Sequence, residues 1–320
     1  MVTSIFARSD DGTNATHIGM AAMCLAMGLL PVGDAISKTL TNVASPFDVT
    51  VWRAVAQAFF FVPLAWLLRS HLWGSIFSAG TLLSACLITI VTLSLVTAFA
   101  EMPIATAIAI FFVEPLLLTL LAGPLLGEVP GRRRFAAVGV GLVGALIVIR
   151  PNFVEFGPVV LLPILGALAF ALNMIVMRKA TTHRSPLSFQ FGASMLAAGV
   201  LIIAQLFRHL VVGSPGGFAS LPSWAIWAVL LGGVLAMMTF MLITFAFSKA
   251  EASLLAPFQY LEIVGATLVG LLVFDEIPDA ITLFGTAIIL ASGAYVFHRE
   301  RQVANSKQGD ATEPVRSSQR

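Results

Sequence analysis

Glu114 lies in the run AIFFVEPLLLTLLAGPLLGE (109–128) and Glu262 in LLAPFQYLEIVGATLVGLLVFDE (254–276), each a carboxylate flanked by apolar residues. An ionisable group in such surroundings costs about 2.5–3.5 kcal/mol on membrane-insertion scales, which makes it a candidate for chemistry before packing. Two carboxylates sharing one dry chamber resist double ionisation, so such a pair suits holding a proton, a donor-rich solute, or both. The competing reading is that each acid is neutral and hydrogen-bonds a neighbouring helix. Pro115 directly follows Glu114 and frees a carbonyl one turn earlier, around Phe111, which belongs in a cavity wall. Asp34 and Arg53 fall at matched depths if their runs are antiparallel neighbours, and two readings stay open. Either they form a salt bridge that lowers the burial cost of both, or Arg53 binds an anionic or electron-rich solute group while Asp34 orients it. Trp52 offers a ring for stacking or belongs to an interfacial belt. Gln259 and Tyr260, within a turn of Glu262, and Asn173 add neutral hydrogen-bonding groups at membrane depth.

These residues need helices to place them, and composition says of what kind. The 320 residues are 58% hydrophobic and 11% charged, against about 25% charged in soluble domains. Ten apolar runs are long enough to span about 30 Å of hydrocarbon: about 18–38, 47–68, 76–98, 102–123, 134–150, 157–178, 187–209, 222–247, 252–273 and 279–297. The fold class is therefore all-α integral membrane. The first run reads as a retained helix after a polar N-terminal tail (1–17), and residues 299–320 as a disordered tail. Along the fourth and ninth runs, at 1.5 Å per residue, Glu114 and Glu262 come near the midplane.

Several function classes are disfavoured. A net charge of +2 implies no nucleic-acid partner. Cys24 and Cys86 sit in apolar runs without a metal or disulfide spacing. GLLPVGD (28–34) lacks the lysine and hydroxyl of a phosphate-cradling loop, and none of the five histidines sits beside a serine in a recognisable frame. No cofactor, metal or enzymatic chemistry is expected. The 24 phenylalanines include candidates for an aromatic clamp, though most belong against lipid or other helices. Gly139, Gly141, Gly144, Gly285 and Gly293 read as close-packing positions, between helices or between protomers of a homodimer.

Segments 98–130 and 246–278 align without a gap at an offset of 148, matching Ala98/Ala246, Phe99/Phe247, Glu114/Glu262, Glu128/Glu276 and Pro130/Pro278. Ser45-Pro46 is echoed by Ser185-Pro186 and Lys38 by Lys179. The chain reads as two five-helix units, 18–150 and 157–298. Because five is odd, the second unit crosses the bilayer in the opposite sense, an inverted repeat with a midplane site between the halves. Sorting basic residues between the two faces puts Arg69, Arg132 to Arg134, Arg178, Lys179, Arg184 and Lys249 with both termini, against Lys38, Arg150 and Arg208 opposite. Both termini are accordingly expected in the cytoplasm. Glu128 and Glu276, at matched helix ends beside prolines, read as terminators.

EPLLLTLLAGPLLGE followed by GVGLVGALIVI, and LEIVGATLVGLLVFDE followed by GTAIILASGAYV, resemble the ends of the two repeats of the drug/metabolite transporter superfamily, EamA-domain family. DAISKTL and SPFDVTVWR resemble its first two helices, and the resemblance covers about residues 18–298. It implies a ten-helix secondary transporter with cytoplasmic termini. DAISK with PFQYLE is similar to a subgroup that includes riboflavin and S-adenosylmethionine importers and metallophore exporters. The expectation is alternating-access transport of a small metabolite across the inner, cytoplasmic membrane, driven by protons or solute exchange. The preferred solute is a vitamin-like aromatic compound such as riboflavin. An exporter of amino acids or other metabolites is the rival, and a channel or membrane sensor the alternative of another class.

Overall fold

The structure, a computed structural model, describes residues 12–126, 132–212, 221–250, 255, 258–259, 261–292 and 294–295. Glu128, Pro130, Tyr260, Gly293, residues 1–11 of the N-terminal tail and the whole C-terminal tail lie outside the described residues.

Helices begin where a side chain can accept the first unpaired amides. At the head of α2 (Pro46–Leu67) the Ser45 hydroxyl accepts the Asp48 N–H at 3.2 Å, and at the head of α8 (Pro186–Val212) Ser185 accepts the Ser188 N–H at 3.0 Å. The Ser-Pro echo is thus one cap built twice, serine satisfying an amide and proline having none to satisfy. Ser78 and Thr81 close a reciprocal capping box on α3 (Ala79–Glu101).

The remaining helices are α1 (Gly12–Thr41), α4 (Ile104–Phe111), α5 (Glu114–Leu126), α6 (Arg132–Phe156), α7 (Leu161–Ala180), α9 (Ser223–Lys249), α10 (Leu261–Phe274) and α11 (Ala280–Ser292). Among the described residues six helices are long and apolar enough to cross a membrane, and four shorter apolar helices occupy the other expected places. Some boundaries differ from those expected of the sequence. α1 starts at Gly12, because extending a formed helix by polar residues costs little. α6 continues through the gap expected between the units and stops at Phe156, before Gly157 with its φ of +66°, a backbone conformation that glycine adopts without strain. The expected fourth span is two helices, α4 and α5.

Helix pairings come in matched sets. α1 packs on α9 as α7 packs on α3; α2 meets α9 as α8 meets α3; α1 meets α10 as α7 meets α5; and α2 meets α8 across the centre. That is the pattern of two equivalent five-helix units facing each other, α1–α6 and α7–α11. The molecule is an all-α membrane protein of inverted repeats. In lipid no hydrophobic force drives helices together, so small residues and close fit must do it. A Cβ at Gly233 would lie 2.4 Å from that of Ala56, so glycine lets α9 close on α2. Gly144 and Gly285 do the same for α6 and α11, within the chain, while Gly139 faces open space.

One end of the bundle is tied by charge. Lys38 Nζ donates to Glu276 Oε1 at 2.5 Å and to the Met102 carbonyl at 3.0 Å, and Glu276 Oε2 accepts the Ile104 N–H at 3.2 Å. Glu276 therefore joins α1, the α3–α4 turn and the end of α10, beyond the terminating role its sequence position suggests. Asp48 and Arg208 link α2 to α8 at 2.7 Å.

Candidate solute-binding site

The fourth span breaks where proline withholds an amide. The Phe112 N–H still bonds to the Ile108 carbonyl at 3.0 Å, but Val113 bonds only three residues back, to Ile110 at 3.3 Å. A new helix then starts at Glu114, with the Leu117 N–H on the Val113 carbonyl at 3.0 Å. Pro115 has no hydrogen for the Phe111 carbonyl, so the break falls beside the acid. Glu262 occupies the first turn of α10 as Glu114 does that of α5. Helix N-termini favour negative charge, which offsets part of the burial cost of both.

Glu114 and Glu262 line one cavity between the repeats, together with Asp34, Arg53 and Gln259. Its empty space, open mouth included, is about 750 Å³. The carboxylates of Asp34 and Glu114 act electrostatically on Glu262. Among the described residues, Oδ2 of Asp34 and Oε1 of Glu114 are buried without a hydrogen-bond partner. Arg53 Nη1 donates to Ser37 Oγ at 3.0 Å and reaches Asp34 Oδ1 only at 3.5 Å. The apolar wall is aromatic and sulfurous: Phe111, Phe112, Phe170 and Phe240 with Met23, Met27 and Met174. The rings of Phe111 and Phe170 lie 5.7 Å apart, centroid to centroid. Behind Arg53 a second recess, lined by Thr50, Gln57, Gln190 and Ser194, shares Arg53 and Thr92 with the main cavity.

Two sequence candidates sit elsewhere. Asn173 accepts the Ser84 hydroxyl at 2.6 Å, a tie between α7 and α3, and does not line the cavity. Trp52 is buried with Leu40, Val96 and Leu201 between helices. Tyr260 lies outside the described residues. Sequence reasoning passed over Ser37, Thr92, Thr239 and the methionines. Ser37 had a readable signal, being three residues beyond Asp34 on the same helix face; the others are ordinary span residues.

Two inverted five-helix units around a charged, aromatic chamber define the class: a helical membrane transporter built from repeats. The chain belongs to the EamA-like transporter family, which matches residues 17–150 and 157–297. It is 26% identical over 300 residues to an S-adenosylmethionine uptake transporter of Rickettsia bellii (strain RML369-C), covering 93% of this chain and 99% of the relative. It is 29% identical over 216 residues to a riboflavin transporter of Vibrio cholerae serotype O1, covering 63% of this chain and 67% of the relative. Among solved structures it matches one protein's crystal structure with a TM-score of 0.61 at 16% identity, covering 91% of this chain and 99% of that one, a likeness of fold alone.

Proposed function

We propose that this protein is a secondary transporter of the cytoplasmic membrane that takes up a small, ring-bearing, positively charged metabolite of the S-adenosylmethionine kind. The supporting observation is the composition of the chamber wall: the carboxylates of Asp34, Glu114 and Glu262 against the single guanidinium of Arg53, among four phenylalanines. Excess negative charge in a low-dielectric chamber is unfavourable unless a proton or a cation joins it, so the site favours a cationic solute over an anionic one and offers its ring Phe111, Phe112, Phe170 and Phe240. The name carried by the Rickettsia relative agrees with that chemistry. Riboflavin, named for the Vibrio relative, is the second reading; it suits the rings but leaves the carboxylate excess without a partner.

Rocking of one repeat against the other exposes the chamber to each face in turn. Protons and the cationic solute compete for the same carboxylates, and linkage makes that competition reciprocal. Acidifying the loading side should therefore raise KM for the solute while leaving kcat nearly unchanged, as pH-resolved initial rates would report. The decisive experiment is flux into proteoliposomes with labelled S-adenosylmethionine, riboflavin and amino acids under pH gradients of either sign. Saturable, counter-gradient uptake of the cation supports the reading, whereas preferential riboflavin uptake or purely downhill leakage overturns it.

A further inference from the structure

Ser37 is 2% exposed, one turn along α1 from Gly33 and Asp34, and its hydroxyl both donates and accepts. Its hydroxyl hydrogen goes to the Gly33 carbonyl at 2.9 Å, which turns the oxygen lone pairs toward α2. There Oγ accepts Arg53 Nη1 at 3.0 Å. The same nitrogen is 3.5 Å from Asp34 Oδ1, and Asp34 Oδ2, though buried, has no partner among the described residues. Arginine and carboxylate left to themselves close into a two-pronged pair at about 2.7–2.9 Å. The pair here is single-pronged and long, and the group occupying the guanidinium is a neutral hydroxyl.

We propose that Ser37 is a positioning residue that holds Arg53 off Asp34, so that the Asp34 carboxylate remains available to the cationic group of the solute. The proposal rests on the transport reading above and adds a division of labour to it. Arg53 is kept beside Asp34 as a conditional counter-charge. When a sulfonium group approaches Oδ2, Arg53 stays on Ser37; without the hydroxyl, the guanidinium swings into a full pair with Asp34 and cancels the charge that selects a cation. Gly33 contributes its carbonyl to this arrangement.

The test compares S-adenosylmethionine with S-adenosylhomocysteine, which lacks only the methyl group that makes the sulfur a cation. For purified full-length protein, the concentration of each giving half-maximal thermal stabilisation is measured. Wild type should prefer the sulfonium by about tenfold, the order expected for one partly desolvated contact between a cation and a carboxylate. Ser37→Thr, which keeps the hydroxyl, should retain that preference. Ser37→Val, nearly the same shape without the hydroxyl, and the smaller Ser37→Ala should reduce it to about threefold or less. Packing damage alone weakens both ligands together and leaves their ratio unchanged. A wild type indifferent between the two ligands, or a valine or alanine variant that keeps the full ratio, overturns the proposal. A protein that shows the expected ratios yet carries neither compound into vesicles removes the transport reading and leaves the role of Ser37 standing.

Discussion

Among the described residues Glu114 has one carboxylate oxygen buried and unpartnered, at the start of a helix. A buried polar atom without a partner costs about 1–3 kcal/mol, which supports the proposal that Glu114 takes a proton or a donor brought by the solute. Replacing it by glutamine keeps the size and shape but removes the group that can take up and release a proton. Glu114→Gln should insert and fold as wild type does yet lose transport by about tenfold or more, as initial uptake rates at matched protein amounts would read. Normal uptake by that variant across pH would remove Glu114 from the site.

The elements add what no single residue supplies. α4 and α5 together make one span with a break at its middle, and the break turns a lipid-type helix into a wall that presents a carboxylate and the start of a new helix to one chamber. The tie through Glu276 acts at the level of three elements. The side chains of Lys38 and Glu276 are only 14% and 22% exposed, so their pair is shielded from solvent more than a surface ion pair. Lys38→Met should lower stability in detergent by about 1–3 kcal/mol, seen as a drop in Tm. The charge exchange Lys38→Glu with Glu276→Lys should recover part of the loss, though the amide of Ile104 then faces a lysine and the recovery falls short of complete. A double exchange no more stable than the worse single variant would show that the ion pair does not tie these helices.

At the scale of the whole molecule, each pairing across the centre has its counterpart, α1 on α9 as α7 on α3 and α2 on α9 as α8 on α3, which supports the proposal that tilting one half opens one mouth of the chamber as it closes the other. The orientation can be checked directly. With Cys24 and Cys86 replaced, Glu101→Cys and Lys249→Cys, at equivalent turns of the two repeats, should react with an impermeant maleimide from opposite faces of the membrane. Labelling of both from the same face would contradict the inverted topology.

The sequence by itself determined the spans, the duplication and the acids worth watching. Charge in a lipid-like run is conspicuous in a way that charge in a soluble helix is not, so residue type and depth alone single out Asp34, Arg53, Glu114 and Glu262. Their meeting in one cavity was decided only by tertiary packing. The spans are apolar all round, and without a polar face periodicity cannot say how each helix is rotated against its neighbours. That is why Asn173 and Trp52, chosen at membrane depth, turn toward other helices instead of the chamber. It is also why Ser37, an ordinary hydroxyl in sequence, acquires meaning only beside Arg53 of another helix. Depth can be counted along a chain, but azimuth is set by the fit of one helix against the next.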